Sequence, residues 1–151
     1  MYAQPSTRLP GAGGAPEIAQ HAQQTFVVLK QTPRSFVAEL DFVTTPGFLS
    51  GHGERARRGL DGAGPQFVVT DLGLLRPDPQ TEELTLVALY PGVDADQACL
   101  ATGWPLAVAD EVETLAPPSE AELRVLRDLQ QRTRAAHAKR PPFPPSKATK
   151  T

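Results

Sequence analysis

Arg8-Leu9-Pro10-Gly11-Ala12-Gly13-Gly14-Ala15-Pro16-Glu17-Ile18-Ala19 leads within a few residues into Thr25-Phe26-Val27-Val28-Leu29-Lys30. The first stretch reads as a glycine loop opening a helix, and the second as a buried strand beside it. Three glycines in four positions leave backbone amides unshielded by any Cβ. Pro16 and Glu17 suit a first helical turn, where a missing N–H costs little and a carboxylate complements the helix dipole. Such a loop can receive an oxyanion or a phosphate. Glycine turns before helices more often serve chain reversal alone. The dinucleotide fingerprint G-x-G-x-x-G is not met, because Pro16 stands where its last glycine belongs, and no G-x-x-x-x-G-K-[ST] loop occurs.

Working outward, the remaining pattern predicts mixed α/β structure. Phe67-Val68-Val69-Thr70 is a short β-rich run after Gly62-Ala63-Gly64-Pro65. Gly73-Leu74-Leu75-Arg76 can pair with Leu84 to Leu89 as a hairpin through a turn at Pro77 to Glu82. Asp94 and Gln97 have capping-box spacing, and Gly103 supplies a stop, so Asp94 to Thr102 is expected to be a short helix. Ser119 and Glu122 form a second box ahead of Leu123, Val125, Leu126 and Leu129, an apolar stripe that predicts a core or subunit interface.

Length and composition bound the class. The 151 residues suit one small domain, and 16 prolines mark long connections. Cys99, the one cysteine, forms no internal disulfide and reads as a small buried side chain. No signal-peptide pattern or membrane-length apolar stretch occurs, so a cytoplasmic location is the expectation. Six of the 15 basic residues, and none of the 17 acidic ones, fall in residues 132–151. That leaves nine basic against 17 acidic residues before them, an acidic body with a basic tail. With Pro141, Pro142, Pro144 and Pro145, residues 132–151 read as an extended, disordered tail following a domain over residues 1–131. Phe143 is the tail's lone aromatic, and no nucleic-acid-binding module is recognisable.

Several short motifs, in order, carry a family resemblance. They are Gly11 to Ala15 as G-x-G-G-A, and Phe26 to Leu29 as the following strand. Phe36-Val37 with Asp41-Phe42-Val43-Thr44 comes next, then Val68-Val69-Thr70-Asp71-Leu72-Gly73 with Asp78-Pro79. Tyr90-Pro91-Gly92-Val93 and Thr102-Gly103-Trp104 complete the set. Over roughly Pro5 to Leu129 the chain resembles the β (B) subunit of the family I CoA-transferases, which includes the glutaconate, 3-oxoadipate and other 3-oxoacid CoA-transferases.

That resemblance implies an open mixed sheet flanked by helices, of the CoA-transferase (NagB/RpiA-like) type. It also implies a CoA-transferase α subunit as partner, and an acyl-CoA thioester as substrate with no tightly bound cofactor. Gly13 and Gly14 would supply oxyanion amides. Gly11, Ala12, Ala15, His52 (within Gly51-His52-Gly53) and Asp71, at a strand end, would contact substrate or CoA. The family nucleophile is a glutamate in a Glu-Asn-Gly context well ahead of the glycine loop. Ten residues precede the loop here, and the sequence contains no asparagine. The chain therefore looks like the C-terminal part of a longer subunit, with an unpaired strand edge and dependence on a partner.

Among nine glutamates, Glu54 alone is flanked by glycines, and it reads as a solvated carboxylate beside Arg55, Arg57 and Arg58. His52, His21 and His137 show no metal-ligand spacing, and no metal site is expected. Two other readings stand beside the transferase. One is a subunit of a ring-cleaving CoA-ester hydrolase of the same fold; the other is a non-catalytic remnant that binds a partner through the stripe at Leu123 and Leu126.

Overall fold

The computed structural model describes residues 11–138. They form two units divided between Ala116 and Pro117. The first holds a helix α1 (Ala15–His21), strand β1 (Thr25–Val28), a single helical turn α2 (Glu54–Arg57) and strands β2 (Pro65–Val69), β3 (Gly73–Pro77) and β4 (Leu84–Leu89). Helix α3 (Ala95–Leu100) and strand β5 (Ala107–Thr114) complete it, and the second unit is one helix, α4 (Glu120–Ala138).

The five strands make one open mixed sheet in the order β1-β2-β3-β4-β5. β1 and β2 are parallel, β3 runs antiparallel to both β2 and β4, and β4 and β5 are parallel again. Each parallel pair needs a crossover. The first is the long connection through α2, and the second runs through α3. The β2–β3 reversal is tight. Thr70 N–H donates to Gly73 O, and the Leu72 and Gly73 amides donate to the Thr70 hydroxyl. Gly73 must lack a side chain, since a Cβ there would run into the Ala88 carbonyl of the neighbouring strand.

One face of the sheet carries the core: Phe36, Val68, Leu75, Leu86, Leu89, Ala98 and Leu106, with Trp104 and Val27 packed partly against it. Alternation explains the selection. Val68 pairs with Leu75, Leu75 with Leu86, and these three point the same way. Phe36 joins the core from outside the sheet, stacked on Trp104 at 5.9 Å between ring centroids. The Gly103 amide donates to Phe36 O at 2.7 Å and pins that segment.

The mixed open sheet, the β3–β4 hairpin and both capped helices agree with the sequence. At α3, the Asp94 carboxylate accepts from the Gln97 amide while the Gln97 side chain accepts from Asp94 N–H. At α4, Ser119 and Glu122 are joined by the same reciprocal contacts. Four points differ. β1, expected as a buried strand, lies at the edge of the sheet with Phe26 and Val28 exposed. β5 has no strand-like signature in the sequence, and α2 was not anticipated. The boundary expected at residues 131/132 falls inside α4, which continues through Arg132 and Arg134 to Ala138. An i,i+4 ion pair between Arg132 and Asp128 supports that continuation. The rest of the expected tail lies outside the described residues. The apolar stripe of α4 is not buried in this chain: Val125, Leu126 and Leu129 are exposed.

Leu75 is fully buried at the centre of the sheet. Leu75→Ala is expected to destabilise the chain by about 2–5 kcal/mol, read as a lowered urea midpoint with an unchanged m-value. Leu129→Ala on α4 is expected to change it by no more than about 0.5 kcal/mol.

Candidate functional site

The glycine loop is open. Gly11 to Ala15 are all exposed, and a Cβ on Gly11, Gly13 or Gly14 would meet nothing within 4 Å. The loop thus has room for a ligand's atoms against its backbone. Gly13 has φ +58°, a left-handed conformation that favours glycine. Gly14 is the N-cap of α1 and has no side-chain capping partner; Pro16 and Glu17 occupy the first turn as expected. The Ala15 amide bonds Ala12 O at 3.4 Å and the Ile18 amide bonds Gly14 O at 3.1 Å. Among the described residues, no acceptor is found for the amides of Gly13 and Gly14.

Asp71 stands in the tight turn after β2, exposed, with one carboxylate oxygen accepting the Gln31 amide at 2.8 Å. Behind it lies a buried polar cluster. The Gln31 side-chain amide donates to Ala98 O at 3.1 Å and to the Thr102 hydroxyl at 3.0 Å. Its carbonyl accepts from the Thr70 hydroxyl at 2.9 Å. Every side-chain member has a partner, as burial demands. Sequence reasoning passed over Gln31, because a glutamine next to Thr32 and Pro33 looks like loop until its neighbours are known.

His52 lies elsewhere. Its amide donates to Thr81 O, and the adjoining Gly53 amide donates to the Glu82 carboxylate at 2.8 Å, so it sits against the β3–β4 turn. β3 runs antiparallel to β2, which puts that turn at the end of the sheet opposite Asp71. The five residues of β3 separate them by roughly 15 Å. His52 and Asp71 are not brought together. Gly51, His52 and Gly53 all have positive φ, between 52° and 76°. That conformation serves the contact: a Cβ on Gly51 would collide with Thr81 O.

Glu54 is a local capping residue. Its carboxylate accepts from the Ser50 hydroxyl and amide and pairs with Arg58. The Ser50 hydrogen bonds, followed by Arg58, lower its pKa from 4.5 to about 2. Cys99 is partly buried on α3. Among the described residues no group of three or more His, Cys, Asp or Glu side chains could hold a metal ion, and no helix is long and apolar enough to cross a membrane. A cavity of about 690 Å³ is lined by Arg76, Asp78, Thr85, Val108 and Asp110 among others, and none of the candidate residues borders it.

An open mixed sheet with an exposed glycine loop ahead of its first helix defines an α/β class of protein. Comparison with known proteins narrows the class: residues 1–100 match the coenzyme A transferase family model, and the chain belongs to that family. It is 44% identical over 136 residues to the B subunit of the 3-oxoadipate CoA-transferase of Pseudomonas knackmussii, covering 90% of this chain and 52% of that protein. It is 39% identical over 128 residues to the B subunit of the glutaconate CoA-transferase of Acidaminococcus fermentans, covering 84% and 47%. The chain thus spans about half the length of these relatives. The solved glutaconate CoA-transferase of that organism superposes with a TM-score of 0.72 at 36% identity, over 83% of this chain and 48% of that one. Rhodococcus jostii IpdAB superposes with 0.66 at 26% identity, over 83% and 50%.

Because the folded pKa of Glu54 lies below the unfolded value, its stabilising contribution is complete above pH 4.5 and is lost as pH falls through about 2. A carboxyl titration by NMR should show a Glu54 midpoint near 2. Glu54→Gln should flatten the acid limb of the stability curve between those pH values, and should leave any CoA chemistry of the assembled protein unchanged.

Proposed function

We propose that this chain is part of a CoA-transferase B subunit. It would move CoA between carboxylic acids of the 3-oxoacid or dicarboxylic type, in a cytoplasmic complex with a CoA-transferase α subunit. Family membership and similarity to two B subunits support the reading. The observation that carries it at the level of residues is the glycine loop, which is exposed and whose Gly13 and Gly14 amides have no acceptor among the described residues.

The chemistry needs such amides. A glutamate carboxylate attacks the thioester carbonyl, and the carbonyl electrons move onto oxygen to give a tetrahedral oxyanion. Collapse of the oxyanion expels CoA thiolate and leaves an acyl–glutamyl anhydride. The thiolate then attacks the glutamyl carbonyl, releasing the first acid and leaving a glutamyl–CoA thioester, and the second acid takes up CoA by the reverse sequence. Each attack passes through an oxyanion, and one preorganised amide aimed at it contributes about 3 kcal/mol. Gly13 and Gly14 are the proposed donors, and Gly11, Ala12 and Ala15 line the approach. The nucleophile is assigned to none of the nine glutamates of this sequence. Glu54, the one with glycine neighbours, is already committed to Ser50 and Arg58.

Asp71 keeps a proposed part at the substrate only through its second carboxylate oxygen, since the first holds the Gln31 amide. A role for His52 requires a portion of CoA to reach the opposite end of the sheet. The acyl-CoA is a substrate in this scheme, and no resident cofactor is invoked.

The test is CoA transfer by the complex purified from its own cells, with free CoA release measured when no acceptor acid is present. Transfer without release supports the transferase, and hydrolysis without transfer replaces it with the ring-cleaving hydrolase. Within an active complex, Gly13→Val should lower kcat about 100-fold and leave KM for acyl-CoA within about threefold, since the amide acts mainly in the transition state. Unchanged turnover would remove the loop from the mechanism.

A further inference from the structure

Arg55 is 4% exposed, yet no carboxylate among the described residues pairs with it. Its guanidinium is spent on carbonyls instead. Nε donates to Gly62 O at 2.6 Å, Nη1 to Gly47 O at 3.0 Å and Pro46 O at 3.3 Å, and Nη2 to Gln20 O at 2.9 Å and Ala19 O at 3.2 Å. Five donors meet five acceptors from three segments outside α2, of which residues 19–20 are remote in sequence. Only a planar fork with five N–H groups can do this; a lysine has three donors on one atom. The adjacent arginines behave differently. Arg57 and Arg58 are exposed, and Arg58 takes the ordinary i,i+4 carboxylate partner.

Two of the five carbonyls, Ala19 and Gln20, belong to the last turn of α1. That helix has almost no other anchorage: none of its residues is buried, and Ile18 is 70% exposed. Its other ties are the Gly62 amide, which donates to Gln20 O at 3.1 Å, and an exposed 3.9 Å approach of His21 Nδ1 to the Asp61 carboxylate. A Cβ on Gly62 would collide with the Gln20 and Ala22 carbonyls and come within 3.1 Å of Arg55 Nη2, so the joint is fitted around a glycine. The seven residues of α1 span about 10 Å. Through that short rigid length, what fixes Ala19 and Gln20 also fixes Gly13 and Gly14 at the other end.

We propose that Arg55 is the positioning residue of the glycine loop. It grips the C-terminal turn of α1 and so holds the Gly13 and Gly14 amides in the geometry the oxyanion requires. The catalytic half of this statement rests on the transferase reading above; the mechanical half does not.

Two measurements test the two halves separately, each on Arg55→Lys and on Gly62→Ala, which disturbs the same joint from its other side. Hydrogen exchange of the full chain, followed by mass spectrometry, compares residues 11–24 with residues 65–89. The expected result is about tenfold faster exchange at the Ile18 and Ala22 amides, with the sheet segment unchanged. Unaltered exchange in 11–24, or an equal loss of protection in 65–89, overturns the proposal, the latter by making Arg55 a support of the whole fold. Kinetics of the native complex should show kcat lowered about tenfold or more with KM for acyl-CoA within about twofold. A raised KM with unchanged kcat overturns the positioning role. If the unsubstituted complex transfers no CoA, the transferase reading falls, and the exchange result alone decides whether Arg55 tethers α1.

Discussion

The side chain of Gln31 is the joint on which the sheet and its flanking helix depend. One buried amide group meets the end of β2 through Thr70 and the end of α3 through Ala98 and Thr102, while its backbone N–H holds Asp71. The polypeptide leaves β1 at this point for a long irregular connection, so backbone pairing there stops abruptly. Without a residue that both donates and accepts, three chain segments would meet with buried polar atoms unmatched, which costs more than the hydrogen bonds return. Glutamine supplies two N–H donors and a carbonyl from one planar group, and its reach covers all three segments. Phe36 and Trp104 can stack on the core face because the ends around them have already been fixed.

β1 is short, four residues at the edge of the sheet, and it is secured by polar joints at both ends. Gln31 holds the exit. At the entrance the Thr25 amide donates to Gly64 O, and Arg55 draws together Gly62, the Pro46–Gly47 segment and the last turn of α1. Apolar packing contributes less here than at the middle of the sheet. Val27 reaches the core, whereas Phe26 and Val28 are 56% and 77% exposed, and Phe26 stacks on Phe67. Phe42 and Val43, in the connection that follows, are exposed as well. The centre of the fold is hydrophobic, and its β1 edge is held by directional bonds. An edge built that way keeps its geometry without filling the space in front of it.

The legible parts of the sequence were those with strong local chemistry. The loop-to-helix transition at Gly11 to Glu17, the β3–β4 hairpin and the two capping boxes each depend on residues within a few positions of one another. β5 was not legible. Asp110, Glu111 and Glu113 break its apolar alternation, and it is a strand because β4 offers an edge, with the register jumping from Leu86–Val108 to Ala88–Glu113. Its charges suit an outer strand that must not pair further. α2 is a single turn whose Glu54 bonds back to Ser50 and forward to Arg58, a pattern that resembles any charged surface loop until Arg55 is seen to turn inward. The separation of His52 from Asp71 was equally invisible, because motif order along a chain says nothing about which end of a sheet each motif reaches. Gln31 and Arg55 escaped for one shared reason: a polar side chain whose partners include groups far away in sequence leaves no local trace.

A site made of backbone amides imposes a requirement that a side-chain site does not. Gly13 and Gly14, the proposed donors, carry no side chains through which neighbours could fix them, and a side chain at Gly13 would strain its left-handed turn. The amides must also stay without internal acceptors if they are to meet an external oxyanion, so the hydrogen bonds that order most loops are excluded here. Order has to arrive from a distance, along the helix that the loop opens. Burying α1 would supply it, but its residues are largely exposed, and its last carbonyls are the remaining handles. These carbonyls lie at the negative end of the helix and attract a cation. A guanidinium whose five N–H groups are all taken by carbonyls gives a directional hold and has no donor left for a competing anion, and the buried Arg55 meets that specification while its exposed neighbours do not.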